Sequence, residues 1–421
     1  MPAVNVNPQT PQEKYDLIVS GLQEVLGADI LKAKLDKGET VSLYWGTATT
    51  GRPHCGYLVP ATQIASFLQA GCRVKVLLAD IHGFLDNSTM FTDSLTVKAP
   101  IELVKYRAEY YRHCITSLLK AVGVSIEKLE FVLGSSYQLT PEFNMDMYRL
   151  HSIVSSHDAK RAGAEVVKQT DSAPLSALIY PIMQCLDEQY LDVDAQFGGV
   201  DQRKIFALAK EILPKVGFRE RAHLMNSMVP GLTGGKMSSS EPDSKIDLLD
   251  GPEIVKKKLK KAVAAPKIVE DNGVLSFVEY VLLPISALQT GEQKFVVERR
   301  EGEPLVYTSI EQMHADYRED ILSPQILKPA VTDALNKLLA PIQADFQGSE
   351  EWQKVEKLAY PPPPAPEKKV KVKKDKGSRF PGAAKKDVVA QPDGHVEGPG
   401  SAEVNVGKAE EGLKNLDVED K

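Results

Sequence analysis

Apolar positions along the chain change period several times, and the changes delimit its elements. Through Ile18, Leu22, Leu26 and Ile30 they recur every four residues, which predicts a helical N-terminal arm over residues 1–40. From Val41 the period drops to two: Val41, Leu43 and Trp45 alternate with Ser42 and Tyr44, a strand, before Leu58, Thr62, Ala65 and Leu68 resume helical spacing. Strand-like runs at 74–79, 129–133, 194–197 and 224–229 alternate with helical stretches, the pattern of an α/β, Rossmann-like parallel sheet with helices on both faces. Residues 98–171 are mainly helical, with Ile101, Val104, Ala108, Tyr111 and Ile115 on one face, and are expected to be an insertion between two halves of the sheet. After Asp250 strands become rare, and Val331, Leu335, Leu338, Leu339 and Ile342 fall on one helix face. The expected division is an α/β domain over 41–230, a mostly α domain over 231–360 and a tail over 361–421. Four prolines follow Tyr360, and large apolar side chains then almost vanish, so the tail is expected to be disordered.

Composition adds limits. With 421 residues, 43% of them apolar and 26% charged, the chain is long enough for two soluble domains. Its formal charge of −6 is mild, so contact with nucleic acid would depend on local basic patches. Two such patches exist: the lysines of 256–261, on a helix expected to face Ile254, Val255, Leu259 and Val263 inward, and 368–386, with nine Lys or Arg against one Asp. Either could meet RNA phosphates or act as a nuclear-import address, and the first also reads as a solvated face. Cys55, Cys72, Cys114 and Cys185 lie far apart with no CxxC pair, which argues against a zinc site and against a disulfide framework and suits a reducing compartment. No apolar run approaches transmembrane length and residues 1–15 lack a signal-peptide layout, so a cytoplasmic protein without a membrane partner is expected.

Four stretches carry candidate chemistry. Residues 44–57, YWGTATTGRPHCGY, run from strand to helix through Gly46, Gly51 and Pro53, where free backbone N–H groups can bind an anion. They read equally as an ordinary βα loop, since Rossmann glycine spacing is absent. Lys236, Met237, Ser238, Ser239 and Ser240 follow Gly234 and Gly235, the make-up of a phosphate-binding loop and also of a plain solvated one. Tyr180, Gln184 and Asp187 are spaced i, i+4, i+7 on one helix face, with Pro181 expected in the first turn. Residues 195–202, AQFGGVDQ, end a strand in Gly198 and Gly199 and open a helix with Asp201 and Gln202, where α/β sheets bind ligands; Asp201 reads also as an N-cap.

Taken with LDN at 85–87, GAEVVKQ at 163–169, YPIMQCLD at 180–187 and VPGLTGGKMSSS at 229–240, these stretches resemble class I aminoacyl-tRNA synthetases, and among them the tyrosyl-tRNA synthetases of eukaryotic and archaeal cytosolic type. The resemblance spans residues 10–360. It implies formation of tyrosyl-adenylate from L-tyrosine and ATP, with Mg²⁺ on the phosphates and no zinc, then transfer of tyrosine to tRNA(Tyr). By the same resemblance, Tyr44 and Asp187 hold the phenol, Tyr180, Gln184 and Asp86 the ammonium group, and Gln202 the carboxylate side. Asp201, Gly198 and Gly199 hold the ribose. His54, Lys236 and Ser238 are the expected catalytic groups, and Gly46, Gly56, Tyr57, Met237, Ser239 and Ser240 complete the ATP site. A homodimer through 98–171 and an anticodon-reading role for the α domain are also implied.

Two departures stand out. The HIGH signature of the family reads HCGY here, with Tyr57 in place of the second histidine, and the second lysine of the loop is Ser239. Arg52 is a candidate substitute cation. Ile326 stands where relatives carry an acidic anticodon-reading residue. The rival readings are a tryptophanyl enzyme and an RNA-binding relative without catalysis. Asp187 opposite Tyr44 favours a phenol over an indole, and retention of His54, Lys236, Asp187 and Gln202 favours an enzyme.

Overall fold

The strands expected from period-two patterning form at β2 (Ser42–Ala48), β3 (Arg73–Ala79), β4 (Leu129–Leu133), β5 (Ala195–Gly199) and β6 (Ala222–Asn226). The computed structural model describes residues 8–86, 99–167, 174–232 and 245–361, all within a unit spanning Met1–Pro363. Residues 1–7, 87–98, 168–173, 233–244 and 362–421 lie outside the described set, and with them the loop at 236–240, the tail's basic run and the expectation of tail disorder.

One expectation fails at the N-terminus. Instead of one helix, the chain forms α1 (Pro11–Val19), a strand β1 (Leu22–Leu26) and α2 (Ala28–Asp36). Gly21 and Gly27 bracket the strand with φ of 75° and 71°, a left-handed conformation that ends a right-handed helix. Leu22 and Leu26 therefore sit on a strand paired antiparallel with β6. The four-residue spacing mimics a helix because the strand is only five residues long.

The six-stranded sheet has the order β1-β6-β5-β2-β3-β4, parallel except for β1. From β2 the chain moves outward through β3 to β4, then returns to β5 on the other side of β2 and continues to β6. The topological switch point thus lies between β2 and β5, where open parallel sheets leave a crevice beyond their carboxyl ends. Between the strands run α3 (Leu58–Gln69), α4 (Asp80–Asp86), α5 (Ala99–Ala121), α6 (Ser135–Gln138), α7 (Pro141–His151), α8 (Ser156–Ala162), α9 (Ser176–Tyr190) and α10 (Arg203–Ile212). The expected insertion at 98–171 is mainly helical around the expected strand β4, and its helix α5 packs on α3 and the sheet. What stands apart from the sheet is α6 to α8. Pro181 lies in the body of α9, six residues from its start, and not in the first turn.

The C-terminal part contains α11 (Pro252–Lys261), α12 (Gly273–Phe277), α13 (Leu283–Thr290), α14 (Ile310–Arg318), α15 (Pro324–Gln347) and α16 (Glu350–Ala359), with a hairpin of β7 (Phe295–Val297) and β8 (Leu305–Tyr307). A π-helical turn, Val278–Leu282, joins α12 to α13. By length and composition the run Gly273–Thr290 could cross a membrane, contrary to the expectation that no apolar run approaches that length; half of it is buried inside the protein. On α11, Val255 and Leu259 are buried, but Ile254 is 48% and Val263 51% exposed, so the inward face is narrower than expected. Ile326 packs against the core. One hydrophobic cluster runs from Leu17 through α3 and α5 to Ala359, so helices and sheet share a core across residue 230.

Gly27 illustrates how closely β1 is seated: a Cβ there would lie 3.2 Å from the Ala222 Cα. Gly27→Ala is expected to destabilise the protein by about 1–3 kcal/mol, read as a lower Tm in calorimetry.

Candidate active site

A cleft of about 350 Å³ opens at the switch point. Its walls come from the carboxyl ends of the parallel strands: Gly46, Thr47 and Ala48 of β2, Ala79 of β3, Gly199 of β5 and Asn226 of β6. Seven residues far apart in sequence and expected to be functional line it together: Tyr44, His54, Tyr57, Tyr180, Gln184, Asp187 and Gln202. Gly46, Gly56, Gly199 and Asp201 line it too. Gly198 and Asp86 do not line it. A Cβ on Gly198 would meet the Gln202 amide at 2.7 Å, so this glycine makes room for Gln202. Asp86 ends α4, and its charge helps hold the Tyr180 phenol protonated, after the larger effect of burial. Lys236, Met237, Ser238, Ser239 and Ser240 lie outside the described residues.

His54 closes one end of the cleft. Its Nδ1 accepts from the Gly56 N–H at 3.2 Å, capping the short 3₁₀ turn Cys55–Tyr57 that leads into α3. With Nδ1 an acceptor, the ring proton belongs on Nε2. Burial, helped by the nearby Lys245 ammonium, pushes the imidazole down to about 3, so His54 is a neutral donor across the working pH range. The segment after residue 244 fixes this turn: Cys55 N–H donates to the Ile246 carbonyl at 2.8 Å, and Lys245 Nζ donates to the Arg52 carbonyl at 3.3 Å. Tyr57 packs edge-on against His54, Trp45 and Tyr111, with its hydroxyl 2.9 Å from Thr47 Oγ1.

Arg52, the candidate substitute cation, faces away from the cleft. Its Nη1 lies 2.7 Å from Glu356 Oε1 on α16, and its guanidinium covers the Tyr360 ring at 4.5 Å. That geometry makes it a clasp between the His54 turn and the last helix.

At the opposite end Asp187 is 1% exposed. Its Oδ1 accepts from Tyr137 Oη at 2.8 Å and from Gln138 Nε2 at 2.7 Å. Tyr44, expected to hold the phenol together with Asp187, donates to the Gln184 carbonyl at 3.4 Å. Asp187 Oδ2 has no hydrogen-bond partner, and neither has His82 Nε2, 3.7 Å away. Burial pushes His82 down to about 3, so this is a gap between two neutral-leaning groups and not an ion pair. Gln138 Nε2 lies 3.4 Å from His82 Nδ1. Asp187 and His82 both line the far end of the cleft, where Asp187 Oδ2 and His82 Nε2 remain unsatisfied. Along the cleft wall, Gln184 Nε2 donates to Gln202 Oε1 at 2.8 Å, so these two amides orient each other.

His82, Tyr137 and Gln138 were not among the sequence-derived candidates. The available signal was positional: Tyr137 and Gln138 follow the carboxyl end of β4, and His82 lies one helical turn before Asp86. Asn226, Ser227, Met228 and Val229, which follow β6 into the cleft, carry no polar motif that marks them. Among the described residues no cluster of three or more His, Cys, Asp or Glu could hold a metal ion.

A crevice of this kind, with a neutral histidine at a helix start and buried polar side chains at the far end, belongs to the class of α/β proteins that bind ligands at the switch point of an open parallel sheet. The family model described as tRNA synthetases class I (W and Y) matches residues 36–340, and the chain belongs to that family. A tyrosine–tRNA ligase, cytoplasmic, from Saccharomyces cerevisiae is 54% identical over 387 residues, 90% of this chain and 96% of that protein. The corresponding Gallus gallus protein is 54% identical over 355 residues, covering 84% of this chain and 64% of its own length. Among solved structures, a tyrosyl-tRNA synthetase complexed with L-tyrosine from Archaeoglobus fulgidus aligns with a TM-score of 0.71 at 33% identity, over 80% of this chain and 99% of that one.

Burial pushes Asp187 up to about 8, against about 3.9 in an unfolded chain. A carboxyl raised in this way favours the folded state fully below its unfolded pKa, and the contribution is lost as pH rises through the folded value. Asp187→Asn cannot ionise and avoids that loss. Its Tm relative to the parent is expected to climb between about pH 4 and pH 8 and to be flat below about pH 3; a constant difference across this range would refute the assignment.

Proposed function

We propose that the cleft is where this chain, a tyrosine–tRNA ligase, joins L-tyrosine to ATP as tyrosyl-adenylate, releasing pyrophosphate, before passing the tyrosyl group to the 3′ end of tRNA(Tyr). The observation that carries the choice of amino acid is the pair of buried, unpartnered polar atoms at the far end of the cleft, Asp187 Oδ2 and His82 Nε2, 3.7 Å apart. A phenol hydroxyl is both donor and acceptor, so it can pair with these atoms whichever of them carries the proton. Phenylalanine leaves both buried atoms unpaired, and indole offers a donor without an acceptor. A tryptophanyl enzyme is thereby disfavoured.

The remaining roles follow from position along the cleft. Tyr44 supports the phenol end. Tyr180 and Gln184, with the charge of Asp86 behind them, hold the ammonium group, and Gln202 holds the carboxylate side. That carboxylate is already a nucleophile at neutral pH, so adenylation needs no general base; it needs alignment with the α-phosphate and stabilisation of charge moving onto pyrophosphate. Gly199 and Asp201 face the ribose, with Gly198 clearing space. Gly46, Gly56 and the backbone of the 55–57 turn receive phosphate oxygens, and His54 donates Nε2–H to them without titrating. Tyr57 shapes this end as a wall, its hydroxyl held by Thr47. Lys236 and Ser238, with Met237, Ser239 and Ser240, complete the phosphate binding. Mg²⁺ arrives on the ATP phosphates, which supply its oxygens.

The chain works in the cytoplasm, with the lysine runs 256–261 and 368–386 available to tRNA phosphates and to a nuclear pool. It assembles as a homodimer through α6 to α9, where Leu139, Met145, Tyr148, Ile153 and Leu175 are each 43–75% exposed. Isolated apolar residues are ordinary on surfaces, but five in one region support an interface. The helical C-terminal part contacts the anticodon arm.

Pyrophosphate exchange with tyrosine, phenylalanine and tryptophan tests activity and specificity together. Tyrosine is expected to support exchange at least about a hundredfold better than either rival; comparable rates, or none with tyrosine, would refute the reading. His54→Ala is expected to lower kcat by about 10²–10³. Met145→Glu combined with Leu175→Glu is expected to halve the mass measured by light scattering, while an unchanged mass would place the interface elsewhere.

A further inference from the structure

At the level of Tyr44 the sheet carries a row of polar side chains. Glu130, Lys75, Tyr44, Gln196 and His223 stand in register across β4, β3, β2, β5 and β6. In-register residues on neighbouring strands project from the same face. Leu43 and Trp45 point to the other face, into the main core.

The face that bears Tyr44 is covered by α9, and three strands each bond to that helix. Lys75 Nζ donates to the Leu191 carbonyl, one residue past its end, at 2.8 Å. Tyr44 Oη reaches the Gln184 carbonyl at 3.4 Å. His223 Nε2 lies 2.7 Å from Glu188 Oε1. Only the last links two side chains, and both are almost fully buried, at 0% and 1% exposure. Phe206 stacks on the imidazole at 5.0 Å, fixing the ring plane.

Glu188 follows Asp187 directly and lies one turn after Gln184. On a helix with about 3.6 residues per turn, tying Glu188 to β6 sets the rotation that aims Asp187 and Gln184 into the cleft. The helix needs that tie, because Pro181 cannot donate an N–H to the carbonyl four residues earlier and so interrupts the helical ladder. We propose that the Glu188–His223 pair positions the tyrosine-recognising face of α9. Both are positioning residues; neither lines the cleft. This inference rests on the reading of the cleft as a tyrosine site.

Steady-state pyrophosphate exchange tests it. Glu188→Ala is expected to raise the KM for tyrosine about tenfold or more, to leave the KM for ATP within about twofold, and to reduce the preference for tyrosine over phenylalanine. Glu188→Gln, whose amide oxygen still accepts from Nε2–H, is expected to return the tyrosine KM to within about threefold of the parent. Glu188→Met, which fills the same volume without an acceptor, is expected to resemble Glu188→Ala. An unchanged tyrosine KM in the Ala and Met variants would overturn the proposal, as would parallel increases in both KM values or failure of all three variants to fold. Absence of tyrosine-dependent exchange in the parent would instead overturn the substrate reading.

Discussion

A carboxyl group with 1% exposure has to be held by its neighbours, and Asp187 is held on one oxygen only. Much of the molecule's far half is arranged to supply that hold. Tyr137 and Gln138 reach it from the end of β4, His82 reaches toward it from α4, and α9 carries it beneath the sheet. Burial makes the charged form costly, which is why its proton is retained to about pH 8, and it makes any unpaired partner equally costly. The same low-dielectric setting that weakens the fold at this point gives the site its capacity to distinguish a hydroxyl from a hydrogen.

The opposite end solves a different problem, the placing of a flexible βα turn. Residues 49–57 contain two glycines and a proline, yet Thr49, Pro53, His54 and Cys55 are buried. They are gripped from three directions. Arg107 Nη1 donates to the Thr50 carbonyl at 2.6 Å, Tyr111 and Tyr360 donate to the Gly51 carbonyl at 2.8 and 2.6 Å, and Arg52 pairs with Glu356. On the cleft side, residues 245–248 pair with Pro53 to Cys55. The position of His54 therefore depends on α5, on α16 and on the chain that follows the 236–240 loop. A turn that looks local is held by contacts up to 309 residues away.

These two ends meet on β2, whose alternation divides the labour. Leu43 and Trp45 face the core, while Tyr44 joins the polar row under α9 and the strand's last residues open into the cleft. A one-residue slip of β2 would exchange these faces, so the apolar pattern that seats the strand also aims its functional residues.

The sequence by itself determined the parallel sheet and its strand-to-helix turns, because period-two and period-3.6 patterns report directly which side of an element is buried. It also determined most of the cleft: His54, Tyr180, Gln184, Asp187 and Gln202 all line it, His54 and Gln202 lying in strand-to-helix turns and the other three on one face of α9. Short elements were less legible. Five residues of β1 passed for a helix, since Leu22 and Leu26 satisfy both periods and only Gly21 and Gly27 tell them apart. Tertiary structure alone decided the partners. It brought Tyr137 and Gln138 to Asp187, turned Arg52 toward Glu356 and away from the cleft, and joined Glu188 to His223. The physical reason is common to all of these: a buried polar group takes whichever partner the packing of distant elements brings within about 3 Å, and no pattern within a single segment encodes that distance.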